Sequence, residues 1–253
     1  MEQQCNYDKI SEEVIQKIYQ CLFQAVGEDY QEAESHLGLE THISKPFMIW
    51  DLINRNLIRV FSDSNVLYST KKRGMWEILL LYDKESKMLL SFMKDTRFKD
   101  IQKAKPGHQP QYIQALLTLN ADLQAEVKQQ KLFDVGKTQD DISQLKTLLE
   151  SLCMNFVEPV VGDVEHHALV VFSSNYGQIT SLRACILDPE LDVVSEQNWL
   201  DVSKPIMTNE IDKASKDNTK QPQPKLTEKA KQRMKQKALV ALKVDEEALN
   251  KQA

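Results

Sequence analysis

Glycine and proline are scarce, 7 and 8 residues in a chain of 253, which excludes collagen-like, glycine-rich and low-complexity designs. No apolar run approaches the roughly 20 residues of a membrane-spanning helix, so no membrane association is expected. The opening Met1-Glu2-Gln3-Gln4 lacks a basic segment followed by an apolar one, so a secretory leader is not expected and the compartment is read as cytoplasmic. The four cysteines, Cys5, Cys21, Cys153 and Cys185, form no Cys-x-x-Cys pair, which removes zinc-knuckle and dithiol redox motifs. Cys21 and Cys153 fall on apolar helical stripes and Cys185 in a strand, as small buried hydrophobes do in a reducing compartment. Zinc-protease, phosphate-loop, dinucleotide and hydrolase-elbow motifs are all missing. Of the histidines, His36 and His42 are separated by a loop, and His166 and His167 are neighbours in a strand whose side chains leave on opposite faces. No metal and no cofactor are expected.

What is present is a 42% hydrophobic, 27% charged composition, enough to bury a core. The formal net charge of −5 is unevenly spread. Residues 209–253 carry 11 Lys and Arg against 7 Asp and Glu, leaving residues 1–208 at −9. A basic tail on an acidic body either meets an anionic partner or is simply a solvated face.

Periodicity organises the body. Ser11 is placed to cap a first helix, with Glu12 and Glu13 in its first turn, an Ile10–Ile15 staple and Gly27 at its end. A second helix is expected over 28–36. Phe47, Trp50, Ile53, Leu57 and Phe61 mark a third over 44–61, with Trp50 read as packing. After Gly74 the period shortens: 76–82 and 88–93 read as strands joined at Asp83–Lys87, and Val66–Ser69 as a short strand beside them. Helices are expected near 95–104 with Asp95 as cap, over 111–132 and over 139–155. Residues 166–196 return to strand, with a hairpin turn at Asn175-Tyr176-Gly177. The fold class is therefore α+β: an antiparallel sheet from two hairpin segments, 65–93 and 166–196, packed against several helices. Residues 1–207 form one domain, 208–226 a flexible linker and 227–253 a basic amphipathic helical tail.

Candidate chemistry concentrates after the first hairpin. Lys94, Arg97, Lys99 and Lys103 can hold phosphates. His108 has the pKa range of an acid or base near neutrality. Tyr112 can stack on a base or donate a hydrogen bond. Asn120, at the edge of an apolar stripe, needs a partner such as His108 or a strand end. The competing reading is a basic surface helix with an internal polar network. In the tail, Lys229, Arg233 and Lys237 can meet phosphates without specificity, since no aromatic residue follows Trp199. Glu85-Ser86-Lys87 after Asp83 has the letters of a metal-dependent nuclease motif. It lies in a turn, where its groups would be solvated.

The stretches Gly74-Met-Trp-Glu-Ile-Leu-Leu-Leu-Tyr-Asp83, Leu89-Leu-Ser-Phe-Met-Lys-Asp-Thr-Arg-Phe98, His108-Gln-Pro-Gln-Tyr112 and Leu119-Asn-Ala-Asp-Leu123 resemble an uncharacterised bacterial domain family of unknown function. The resemblance spans about residues 44–200. It implies a setting near mobile elements and toxin–antitoxin-like loci, and no catalytic residue. The expected function is an interaction protein of defence or toxin–antitoxin type, binding a protein or a nucleic acid. The alternative is an enzyme on RNA or DNA using His108 and Tyr112 as acid and base and Arg97 as phosphate clamp. Both rest on the two strand segments joining into one sheet with the 97–120 stretch at its rim.

Overall fold

A computed structural model describes residues 10–38, 40–74, 76–104, 109–123 and 139–203. The linker and tail expected over 208–253 lie outside the described residues, as does Cys5. Ser11 starts helix α1 (Glu12–Val26) as its chemistry indicates: its hydroxyl accepts the Val14 N–H at 3.3 Å. Ile10 and Ile15 are both buried beside it. Gly27 ends α1 and leads into α2 (Glu28–Leu37). A methyl group at Gly27 would stand 3.0 Å from the Gly177 carbonyl oxygen and 3.1 Å from that of Phe23, so backbone on both sides leaves no room for a side chain. Helix α3 (Lys45–Phe61) follows with Pro46 in its first turn, where a missing N–H costs nothing.

Strands β1 (Val66–Arg73), β2 (Trp76–Asp83) and β3 (Met88–Lys94) form an antiparallel meander. Strands β4 (His166–Asn175), β5 (Gln178–Leu187) and β6 (Val193–Asn198) form a second one. Tyr176 and Gly177 both take positive φ, 48° and 77°, which is what a two-residue hairpin turn needs. The two meanders join edge to edge through β3 and β4, giving one six-stranded sheet in sequence order. The sheet is mostly antiparallel. The joining pair is parallel, because the helices between β3 and β4 carry the chain back to the same end before β4 begins.

Alternation along the strands divides the core. Leu79, Leu81, Leu90, Val170, Phe172 and Leu182 pack with α1 and α3 on one face. Leu80, Tyr82 and Leu89 pack on the other with α5 (Gln111–Leu117) and α6 (Gln139–Cys153). Met93, Leu169, Val171 and Cys185 extend that second face against α4 (Asp95–Lys103) and α5. The middle helices thus cover one face, as the pattern implies. Cys21, Cys153 and Cys185 are free and buried. A short helix, α7 (Leu200–Ser203), follows β6.

Two local expectations are corrected. The helix expected over 111–132 stops at Leu117 and tightens into a 3₁₀ turn, Thr118–Asn120. The cause is Asn120, whose amide is drawn into the sheet. It donates to the carbonyls of His167 at 2.9 Å and Leu187 at 2.8 Å, and accepts the His167 N–H at 2.8 Å. Residues 124–132 lie outside the described residues. The N-cap position of α4 is Lys94 rather than Asp95, with no side-chain cap. Asp95 instead bridges Lys99 and Arg183, both at 2.6 Å.

Candidate functional site: a fork in the sheet

The ladder between β2 and β3 runs from Asp83–Met88 to Leu80–Ser91 and stops there. Beyond that point β2 still pairs with β1 as far as Trp76, and β3 still pairs with β4 as far as Lys94. The sheet therefore forks. A cavity of about 380 Å³ fills the fork, with Glu77, Ile78 and Leu79 on one strand and Phe92, Met93 and Lys94 on the other. Trp50 and Asn54 of α3, Arg73 of β1, Thr96 and Arg97 of α4 and Tyr112 of α5 complete its lining. Helices from both faces, α3 on one and α4 and α5 on the other, meet at this opening in the sheet.

The chemistry of this cavity is cationic and aromatic. Arg73, Lys94 and Arg97 line it against one carboxylate, Glu77. None of the three cations has an ion-pair partner among the described residues. Arg73 lies over the Tyr112 ring at 4.1 Å from its centroid, a geometry that holds the guanidinium at the cavity without neutralising it. Lys94 is held below the usual lysine range by burial and by the nearby Lys45 ammonium. Its charge therefore costs free energy where it stands, and an anion would relieve that cost. Burial pushes the Tyr112 phenol up, against the opposing pull of Arg73 and Arg97. The phenol stays protonated at neutral pH, so its O–H is available to a ligand while Arg73 donates to its oxygen. Thr96 and Arg97 belong to the first turn of α4, whose backbone N–H groups receive no side-chain cap. That turn already holds the Asp95 carboxylate, bridged to Lys99 and Arg183, so the preference for negative charge comes from the three cations.

A second cavity of about 410 Å³ adjoins the first and shares Trp50, Asn54, Trp76 and Glu77 with it. Phe47, Asp51, Lys72 and Gly74 complete it. Here Phe47 and Trp76 stack with ring centroids 4.4 Å apart and planes inclined by 13°. Both rings, Phe47 from α3 and Trp76 from the β1–β2 hairpin tip, are about 40% exposed, at 39% and 41%. Trp50, expected to be packing, does pack edge-on against Phe172 at 5.6 Å. It also lines both cavities.

Of the residues singled out from the sequence, Lys94, Arg97 and Tyr112 come together at the fork. Lys99 is exposed but paired with Asp95, and Lys103 is exposed in the last turn of α4. Asn120 is fully buried and its amide is committed to β4 and β5, so it ties the frame together and cannot meet a ligand. His108, Lys229, Arg233 and Lys237 lie outside the described residues. Sequence reasoning passed over Arg73, Trp76, Asn54 and Phe92. The available signal was Arg73-Gly74-Met75-Trp76: an indole at a hairpin tip has no core behind it.

Other chemistries find little here. Burial pushes the thiols of Cys21 and Cys185 up to about 12 and that of Cys153 up to about 11, so none is a thiolate nucleophile at neutral pH. No cluster of His, Cys, Asp or Glu suited to a metal occurs among the described residues. Asp83 accepts the N–H and hydroxyl of Ser86 inside the β2–β3 turn, and Glu85 and Lys87 are exposed there. That carboxylate closes a turn. No helix among the described residues is long and apolar enough to cross a membrane.

A protein-family model described as "Family of unknown function (DUF5986)" matches residues 7–242. No curated protein and no solved structure matches the chain.

Proposed function

We propose, on the premise that the chain belongs to this family of unknown function and takes no activity from it, that the fork binds single-stranded nucleic acid through one nucleotide unit. The observation that carries this reading is the convergence in one cavity of aromatic rings and three cations that have no ion-pair partner among the described residues. Phosphate oxygens suit Arg73, Lys94 and Arg97. Bases stack on rings whatever their identity, which suits Trp50, Phe92 and Trp76. A duplex keeps its bases stacked inside and offers the rings nothing. The defence or toxin–antitoxin role suggested by the resemblance would then be exercised through capture of a nucleic-acid strand.

Quenching of the native tryptophans tests this directly, because Trp50 and Trp76 line the fork whereas Trp199 is fully buried. Titration with a mixed-sequence single-stranded tetranucleotide at low salt should quench the emission. Arg73→Ala and Arg97→Ala should each weaken binding by about 5- to 20-fold. They should also flatten its salt dependence. Lys146→Ala, exposed on α6, should change neither. Equal affinity for the wild type and an Arg73→Ala/Arg97→Ala double variant would end the proposal.

A further inference from the structure

The second cavity differs from the first in charge and in donors and acceptors. It pairs one cation, Lys72, with two carboxylates, Asp51 and Glu77. A phosphate is disfavoured there. The Phe47–Trp76 stack offers a flat apolar surface, and the Asn54 amide adds a further donor and acceptor beside it. A flat ring system bearing N–H donors fits that combination. We infer that this outer cavity, formed by Phe47, Asp51, Asn54, Trp76 and Glu77, is a base-reading subsite that favours guanine and disfavours uracil.

The inference deepens the proposed nucleic-acid reading and rests on it. The two cavities share Trp50, Asn54, Trp76 and Glu77, so a phosphate held by Arg73, Lys94 and Arg97 leaves its base next to the Trp76 ring. A carboxylate accepts hydrogen bonds and cannot donate them. Guanine presents two adjacent donors on its pairing edge, N1–H and the N2 amino group, which match one carboxylate two-for-two. Cytosine and adenine present one amino group each, flanked by a ring-nitrogen acceptor. Uracil presents one N–H between two carbonyl oxygens, which a carboxylate repels. Unpaired bases in single strands are open to reading on this edge.

The test uses the full-length protein and the four ribonucleoside 5′-monophosphates, with tryptophan quenching as readout and trinucleotides of each base as a second series. The guanosine ligand should bind roughly tenfold more tightly than the uridine ligand, with the other two between. Asp51→Asn and Glu77→Gln keep size and remove the acceptor-only character, and at least one should bring the guanosine-to-uridine ratio close to one. Trp76→Ala should weaken all four ligands. Four equal affinities that still fall on Arg73→Ala/Arg97→Ala substitution would overturn the base-reading subsite and leave the phosphate site standing. Absence of binding by all four monophosphates and all trinucleotides would overturn both.

Discussion

Replacing Asn120 with alanine is expected to remove about 3–5 kcal/mol of stability. The loss of volume is small, and the effect comes from polar groups. His167 and Leu187 stand opposite each other in the β4–β5 register just beyond the last ladder pair, Leu169–Cys185. The Asn120 carboxamide sits between them and bonds the N–H and carbonyl of one and the carbonyl of the other. It behaves as a surrogate peptide group that continues the ladder. Alanine would leave three buried backbone groups without partners, each worth about 1–3 kcal/mol when orphaned. Aspartate would keep one acceptor for the His167 N–H and turn a second oxygen toward two carbonyls, so it should be no better. Urea unfolding followed by far-ultraviolet circular dichroism measures the difference. A loss below about 1 kcal/mol for Asn120→Ala would contradict the role assigned to the amide.

The second large effect is a pH dependence centred on His167. Its Nε2 lies 2.9 Å from the Ser91 hydroxyl, its Nδ1 has no partner among the described residues, and the side chain is almost wholly buried. Burial lowers its pKa to about 3. The folded protein therefore holds a neutral imidazole, while the unfolded chain protonates it near pH 6.5. A depressed folded pKa makes the unfolded state bind more protons, so stability rises with pH across the window between the two values. His167 costs nothing above about pH 6.5 and progressively more down to about pH 3. At pH 4.5 the difference amounts to about 2–3 kcal/mol relative to pH 7. A Ser91→Ala/His167→Leu double variant removes both partners of the buried contact, which is far milder than orphaning one. Its urea midpoint should fall less between pH 7 and pH 4.5 than that of the wild type. Parallel losses in the two proteins would place the acid sensitivity elsewhere.

The same residues show where sequence reading succeeds and where it stops. Helix α1 was legible because Ser11, the two glutamates, the apolar repeat and Gly27 all state one answer. The β2–β3 and β4–β5 hairpins were legible because alternation and turn residues are local signals. Periodicity says nothing about which strands lie side by side, so the parallel β3–β4 join was not visible. The fork was invisible for the same reason: it is a ladder that ends early, and nothing in Glu77 or Phe92 records that their strands separate. Asn120 announced itself as a polar residue on an apolar stripe, and a strand end proved to be its partner. Lys94, Arg97 and Tyr112 were found because charge and aromaticity were close in sequence. Arg73 and Trp76 reach the same cavity from another hairpin, a proximity only the fold creates.

The parallel join between β3 and β4 has a kinetic consequence. Each meander can zip through neighbouring strands, whereas the join must close a loop of about seventy residues, an entropic toll that delays its appearance. The two halves of the sheet should therefore gain hydrogen-exchange protection before the seam between them does. In pulse-labelled refolding, amides of Leu81 and Leu182 should be shielded earlier than those of Met93 and Val170, and simultaneous shielding would contradict this order. Because one wall of the fork belongs to the seam strand, the cleft is among the last features of the molecule to be completed.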